Sequence, residues 1–165
     1  MFYEFAEALR QVESDDANET HLLAGVVALE ALRGGYGARI GFHPGLIEEC
    51  EKPAERFRSA VEMTDSHLFA IVSMREVANV YGARDRIGLF VKKNLMLLVS
   101  LRDDDGSIPL ALDEAARSVN LRTVSIERLI CAFFERLMDN DGRDLESFDD
   151  RVAAMEAQIE NGTTG

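Results

Sequence analysis

The chain has 165 residues, of which 47% are hydrophobic and 29% charged, a composition that supports one folded domain with a real core and excludes a disordered chain. Acidic residues outnumber basic ones 30 to 18, for a formal net charge of −12, so the averaged field repels phosphate backbones and argues against nucleic acid as a partner. Two cysteines, Cys50 and Cys131, stand far apart without metal-ligand spacing, which fits a reducing compartment and predicts two buried thiols.

The start, MFYEFAEALRQ, has no basic segment followed by an apolar one, so no secretory signal is read. No stretch reaches the roughly 18 apolar residues that a membrane helix needs, and the chain as given reads as soluble. Phe2 to Val12 reads as a helix and Glu13 to Thr20 as a polar loop, making residues 1–20 an appendage and placing the start of the core near His21. The core domain is expected over residues 21–160, with 161–165 as a terminal turn. Leu22 to Leu29, LLAGVVAL, has the length and valine content of a buried strand.

Arg33 to Gly41, RGGYGARIG, is expected to be a flexible turn. It is no dinucleotide loop, because the G-x-G-x-x-G template from Gly35 puts Ile40 where the last glycine belongs. His43-Pro44 then opens a short helix, GLIEECEK, with proline in its first turn. Two hairpins follow: Phe57 to Met63 with His67 to Met74 around Thr64-Asp65-Ser66, and Ile87 to Val91 with Leu95 to Leu101 around Lys92-Lys93-Asn94. Asp103-Asp104-Asp105-Gly106 closes this section with a turn.

After Pro109 the apolar period lengthens. Leu110 to Val119 reads as a short helix, and from Ile126, behind Ser125 as N-cap, the positions Leu129, Ile130, Phe133, Phe134, Leu137 and Met138 recur at helical spacing. Phe133 and Phe134 are both expected to be buried. The stripe resumes with Leu145, Phe148, Val152, Met155 and Ile159, so one helix of more than 30 residues is expected, with Asn161-Gly162 as its stop. Five large apolar side chains beyond the core need covering, and self-association is the expected remedy.

No catalytic constellation is visible: His21, His43 and His67 lie in unrelated contexts, and no G-x-S-x-G, H-E-x-x-H or phosphate-binding loop occurs. The chain therefore does not read as an enzyme. Two acidic turns fail as calcium loops, since Asp139-Asn140-Asp141-Gly142 would place Phe148 at position 12, and Asp103-Asp104-Asp105-Gly106 would place Leu112 there. Glu48 and Glu49 are adjacent on the short helix and point about 100 degrees apart. From spacing alone they read as helix-surface glutamates, while a pair so divided could also face its own domain and a neighbour.

The order of these pieces resembles the amino-terminal domain of the CorA family of magnesium transporters. His43-Pro44-Gly45-Leu46-Ile47-Glu48-Glu49 is similar to that family's HPL-x-x-ED helix, with Gly45 and Glu49 in place of the usual leucine and aspartate. FRSAVEMTDSHLFAIVSM is similar to its paired strands, IGLFVKKNLMLLVS to its later hairpin, and the segment from Arg128 to Ile159 to its long acidic helix. The resemblance covers Leu22 to Ile159; the family's G-M-N pore motif and two membrane helices do not occur in this sequence.

The resemblance implies an α/β fold, a layered α/β/α domain with a mixed sheet and a long C-terminal helix. It also implies a regulatory, divalent-cation-sensing role on the cytoplasmic face of the cell membrane, in a complete protein of five identical subunits. It assigns Glu48, Glu49 and Glu135 to a metal site between subunits, for Mg2+ or alternatively Co2+, Ni2+ or Zn2+, with no organic cofactor. The other reading open at this point is a free-standing acidic α/β interaction domain with no transport role.

Overall fold

In the computed structural model, which describes residues 1–13, 20–52, 60–63, 66–74, 85–139 and 153, the apolar runs become the middle of one mixed sheet. Its strands are β1 (Phe2–Phe5), β2 (Leu9–Val12), β3 (Leu22–Ala28), β4 (Ala60–Met63), β5 (Leu68–Met74), β6 (Asp85–Lys92) and β7 (Leu95–Arg102). Seven strands run in the order β2-β1-β3-β7-β6-β5-β4. All neighbours are antiparallel except β3 and β7, which pair in parallel with Gly25 opposite Leu97.

Both faces of the middle of this sheet are covered, which is why the central strands lack a polar alternate. Tyr3, Ala24, Ala70, Ile87, Leu89, Met96 and Leu98 face one core, where they meet Ile108, Leu112, Ala115, Leu129 and Phe133. Phe2, Leu23, Phe69, Ile71, Phe90, Leu97 and Val99 face the other, against Leu32, Ile40, Phe42, Leu46 and Cys50. The first set of helical residues belongs to α4 (Ser107–Ser118) and to the helix α5 at residues 126–139. The second belongs to the run α1 (Leu29–Ala31), a π-helical turn (Leu32–Tyr36) and α2 (Gly37–Ile40), to Phe42 in the link that follows, and to α3 (Pro44–Glu51). The result is the α/β/α layering expected from the sequence.

Three local expectations change. Residues 2–12 form the β1–β2 hairpin and not a helix, and Phe2, Tyr3 and Phe5 are core residues, so the core begins well before His21. β1 sits between β2 and β3, a long-range pairing that a local pattern cannot announce. The glycine-rich stretch is helical and not a flexible turn: Gly35, at φ 95°, kinks it, and Gly41, at φ 82°, ends it with its own N–H and that of Phe42 bonded back to Ala38 and Gly37. Cys131 is exposed, whereas Cys50 is buried, because Cys131 lies off the stripe that carries Leu129 and Phe133.

The other elements follow the reading with shifts of a few residues. The β6–β7 reversal needs only Lys93 and Asn94, with Lys93 at φ 32°. Phe133 is fully buried and Phe134 half-buried, their rings 5.1 Å apart. Ser125 caps α5 by accepting from the Arg128 N–H at 3.3 Å. The Leu145 to Ile159 stripe, the continuation of the long helix, the Thr64-Asp65 part of the first reversal and the start of the Phe57 strand lie outside the described residues.

Candidate metal centre

Helix α3 owes its start to His43, whose Nδ1 accepts from the Gly45 N–H at 3.1 Å, and to Pro44 as first helical residue. Leu46 and Cys50, four apart, anchor the helix on the sheet. That registration turns the carboxylates outward. Glu48 is exposed and Glu49 is half-exposed. Glu49 is paired with Lys52, three residues on, and Glu51 with Arg33 at 2.6 Å.

Glu135 is exposed on α5, whose inner stripe of Leu129 and Phe133 packs on the opposite face of the sheet. One chain therefore carries Glu48 and Glu49 side by side on α3 and does not bring Glu135 to them. Among the described residues no three or more His, Cys, Asp or Glu side chains gather as metal ligands. The donors on offer are carboxylate oxygens, the chemistry of a hard cation such as Mg2+, which takes one or two carboxylates and keeps much of its water.

The other candidates for chemistry have structural uses. Asp105 accepts from the Ser107 N–H at 2.9 Å and Asp103 from the Ile108 N–H at 3.4 Å, so the acidic turn serves the first turn of α4. Burial raises Asp103 above its ordinary value, whereas the Ser107 N–H lowers Asp105. His21 Nδ1 lies 3.0 Å from Glu4, and the His67 ring lies 5.3 Å from that of Phe90. Three arrangements escaped the sequence reading. Tyr3 donates to Asp113, which also holds Arg117 at 2.9 Å; Arg86 is buried in β6 and donates from Nη1 to the Lys52 carbonyl at 3.0 Å; and Lys52 covers Glu49. Each joins distant segments or depends on a rotamer, so only Glu49 and Lys52, at i and i+3, left a trace in the spacing.

No family model and no curated protein sequence matches the chain. Solved structures do. The soluble domain of CorA from Methanocaldococcus jannaschii superposes with a TM-score of 0.67 at 16% identity, covering 98% of this chain and 65% of that one. The full-length CmaX protein gives 0.69 at 14%, covering 97% of this chain and 51% of that one. The complete CorA magnesium transporter from M. jannaschii gives 0.68 at 15%, covering 97% and 50%. This chain thus spans about half the length of the two full-length proteins, and among its described residues no helix is long and apolar enough to cross a membrane. Over 98% of its length the chain has the fold of the CorA soluble domain.

Proposed function

We propose that this chain is the cation-sensing cytoplasmic domain of a CorA-like Mg2+ transporter, in which Glu48 and Glu49 of one subunit and Glu135 of the next share a divalent cation. The observation that carries the reading is the fold held in common with the CorA soluble domain along 98% of the chain. The outward carboxylates on opposite layers support the second half: a site divided this way needs two chains side by side. With a formal charge of −12 on each chain, apposed subunits repel, and a bridging cation offsets that repulsion most where carboxylates from both sides meet. Loss of the cation then frees the subunits to move apart, the population shift by which cation level would govern the closed state. A homopentamer is the assembly proposed for the whole protein. Mg2+ suits the all-oxygen donor set best, ahead of Co2+, Ni2+ and Zn2+.

A second reading, an interaction module without transport, has one observation in its favour: Leu110 and Met138, on the outer helical layer, are 59% and 49% exposed. Titration calorimetry with MgCl2 separates the two. The transporter reading predicts heat of binding that is lost in the Glu48→Gln/Glu49→Gln/Glu135→Gln variant, whereas unchanged binding in that variant would reject these residues as ligands.

A further inference from the structure

The α3 carboxylates are not equally available. Glu51 is held by Arg33 at 2.6 Å, Glu49 is held by Lys52, and Glu48, the residue before Glu49 on α3, stands exposed. Lys52 is the residue that ends α3. Its backbone carbonyl is fixed from below by the guanidinium of buried Arg86, at 3.0 Å, so the lysine stem starts from an anchored point and reaches back over the last helical turn. We infer that Lys52 is a built-in competitor for the cation, an ammonium that occupies the Glu49 carboxylate and must be displaced before Glu49 joins Glu48 as a ligand.

This inference rests on the cation-sensing reading of α3 and adds to it a regulation. An ammonium and a hydrated divalent cation seek the same oxygens, and the lysine has the advantage of being tethered. Its advantage is small, because both partners are about half exposed, at 50% and 43% of their side-chain surface, and exposed pairs are weak and screened by salt. A weak competitor sets the cation concentration at which the site fills without closing the site. Glu48, for which no cationic partner stands among the described residues, makes first contact with the cation, and Glu49 follows as Lys52 swings away.

Calorimetric titration of the full chain with MgCl2 tests this. Lys52→Gln is expected to tighten binding by up to about fivefold, the range of an exposed ion pair, and Lys52→Arg to restore the wild-type affinity. Removing the exposed Lys93, on the β6–β7 turn, as Lys93→Gln controls for bulk charge and is expected to leave affinity unchanged. Glu48→Gln is expected to weaken binding more than Glu49→Gln does. If wild-type chain and Lys52→Gln both fail to bind, the cation-sensing reading and this inference fall together. If the chain binds and Lys52→Gln binds no more tightly, or Lys93→Gln tightens binding equally, the competitor role is wrong and the cation-sensing reading stands. Circular dichroism of each variant checks that the overall fold is retained.

Discussion

Cys50 and Cys131 look alike in the sequence and should behave differently toward an alkylating reagent. Cys50 packs between α3 and the sheet, and burial pushes its thiol up to about 12, so at neutral pH it is neither ionised nor reachable. Cys131 is exposed. Iodoacetamide should label one thiol per native chain, and none in Cys131→Ser; labelling of both in the native chain would show that α3 does not cover Cys50. Tyr3 offers the corresponding test by pH. Burial, followed by its bond to Asp113, pushes its phenol up to about 12, above the ordinary value near 10. A raised folded pKa means the contribution to stability is complete below about 10 and disappears as pH rises through about 12. Of the chain's three tyrosines, Tyr3 should ionise late in an absorbance titration, and that late step should vanish in Tyr3→Phe. At acid pH the sign reverses for Asp113, held low by Arg117 and then by Tyr3, whose contribution is lost as pH falls through its depressed value. Single-residue roles of this kind were hardly legible beforehand, since Tyr3 and Asp113 lie 110 positions apart.

At the scale of elements, legibility followed how local the cause is. β3, β5, β6 and β7 announced themselves because both their faces are buried, leaving continuous apolar runs between turn residues. Helix α3 announced itself through His43 and Pro44, which act within one turn. The β1–β2 hairpin did not: four-residue strands have too few alternations to show a period, and β1 is held by β3 across the 20s of the sequence. Gly25 shows what that pairing demands. It lies opposite Phe2, and a Cβ at position 25 would stand 2.2 Å from the Phe2 ring, so the missing side chain is the seat of the aromatic ring. Gly25→Ala should therefore destabilise the chain by about 1 to 3 kcal/mol in urea unfolding, the usual cost of overpacking, and Phe2→Ala in the same chain should recover part of the loss that Gly25→Ala causes. Additive losses would mean that the ring does not lie over Gly25. The glycine-rich run misled for the opposite reason, since only Gly35 and Gly41 use left-handed backbone and the other residues between them continue the helix.

For the molecule as a whole, a sheet with helices packed on it could be read from the pattern and the α/β/α layering came through the resemblance, but the strand order could not be read, because the parallel β3–β7 pair joins segments that no local signal connects. The same holds for the candidate site. Glu48 and Glu49 were visible as neighbours on one helix and Glu135 came only through resemblance; that they stand on opposite layers is a consequence of the sheet between them. This separation makes association the property on which the account turns. Sedimentation velocity of the chain at one concentration, with EDTA and then with excess Mg2+, measures it most directly. The account predicts a larger species in Mg2+ than in EDTA for the wild-type chain and no such change for Glu48→Gln/Glu49→Gln/Glu135→Gln. A wild-type distribution indifferent to Mg2+, or a triple variant that responds as the wild type does, would contradict it.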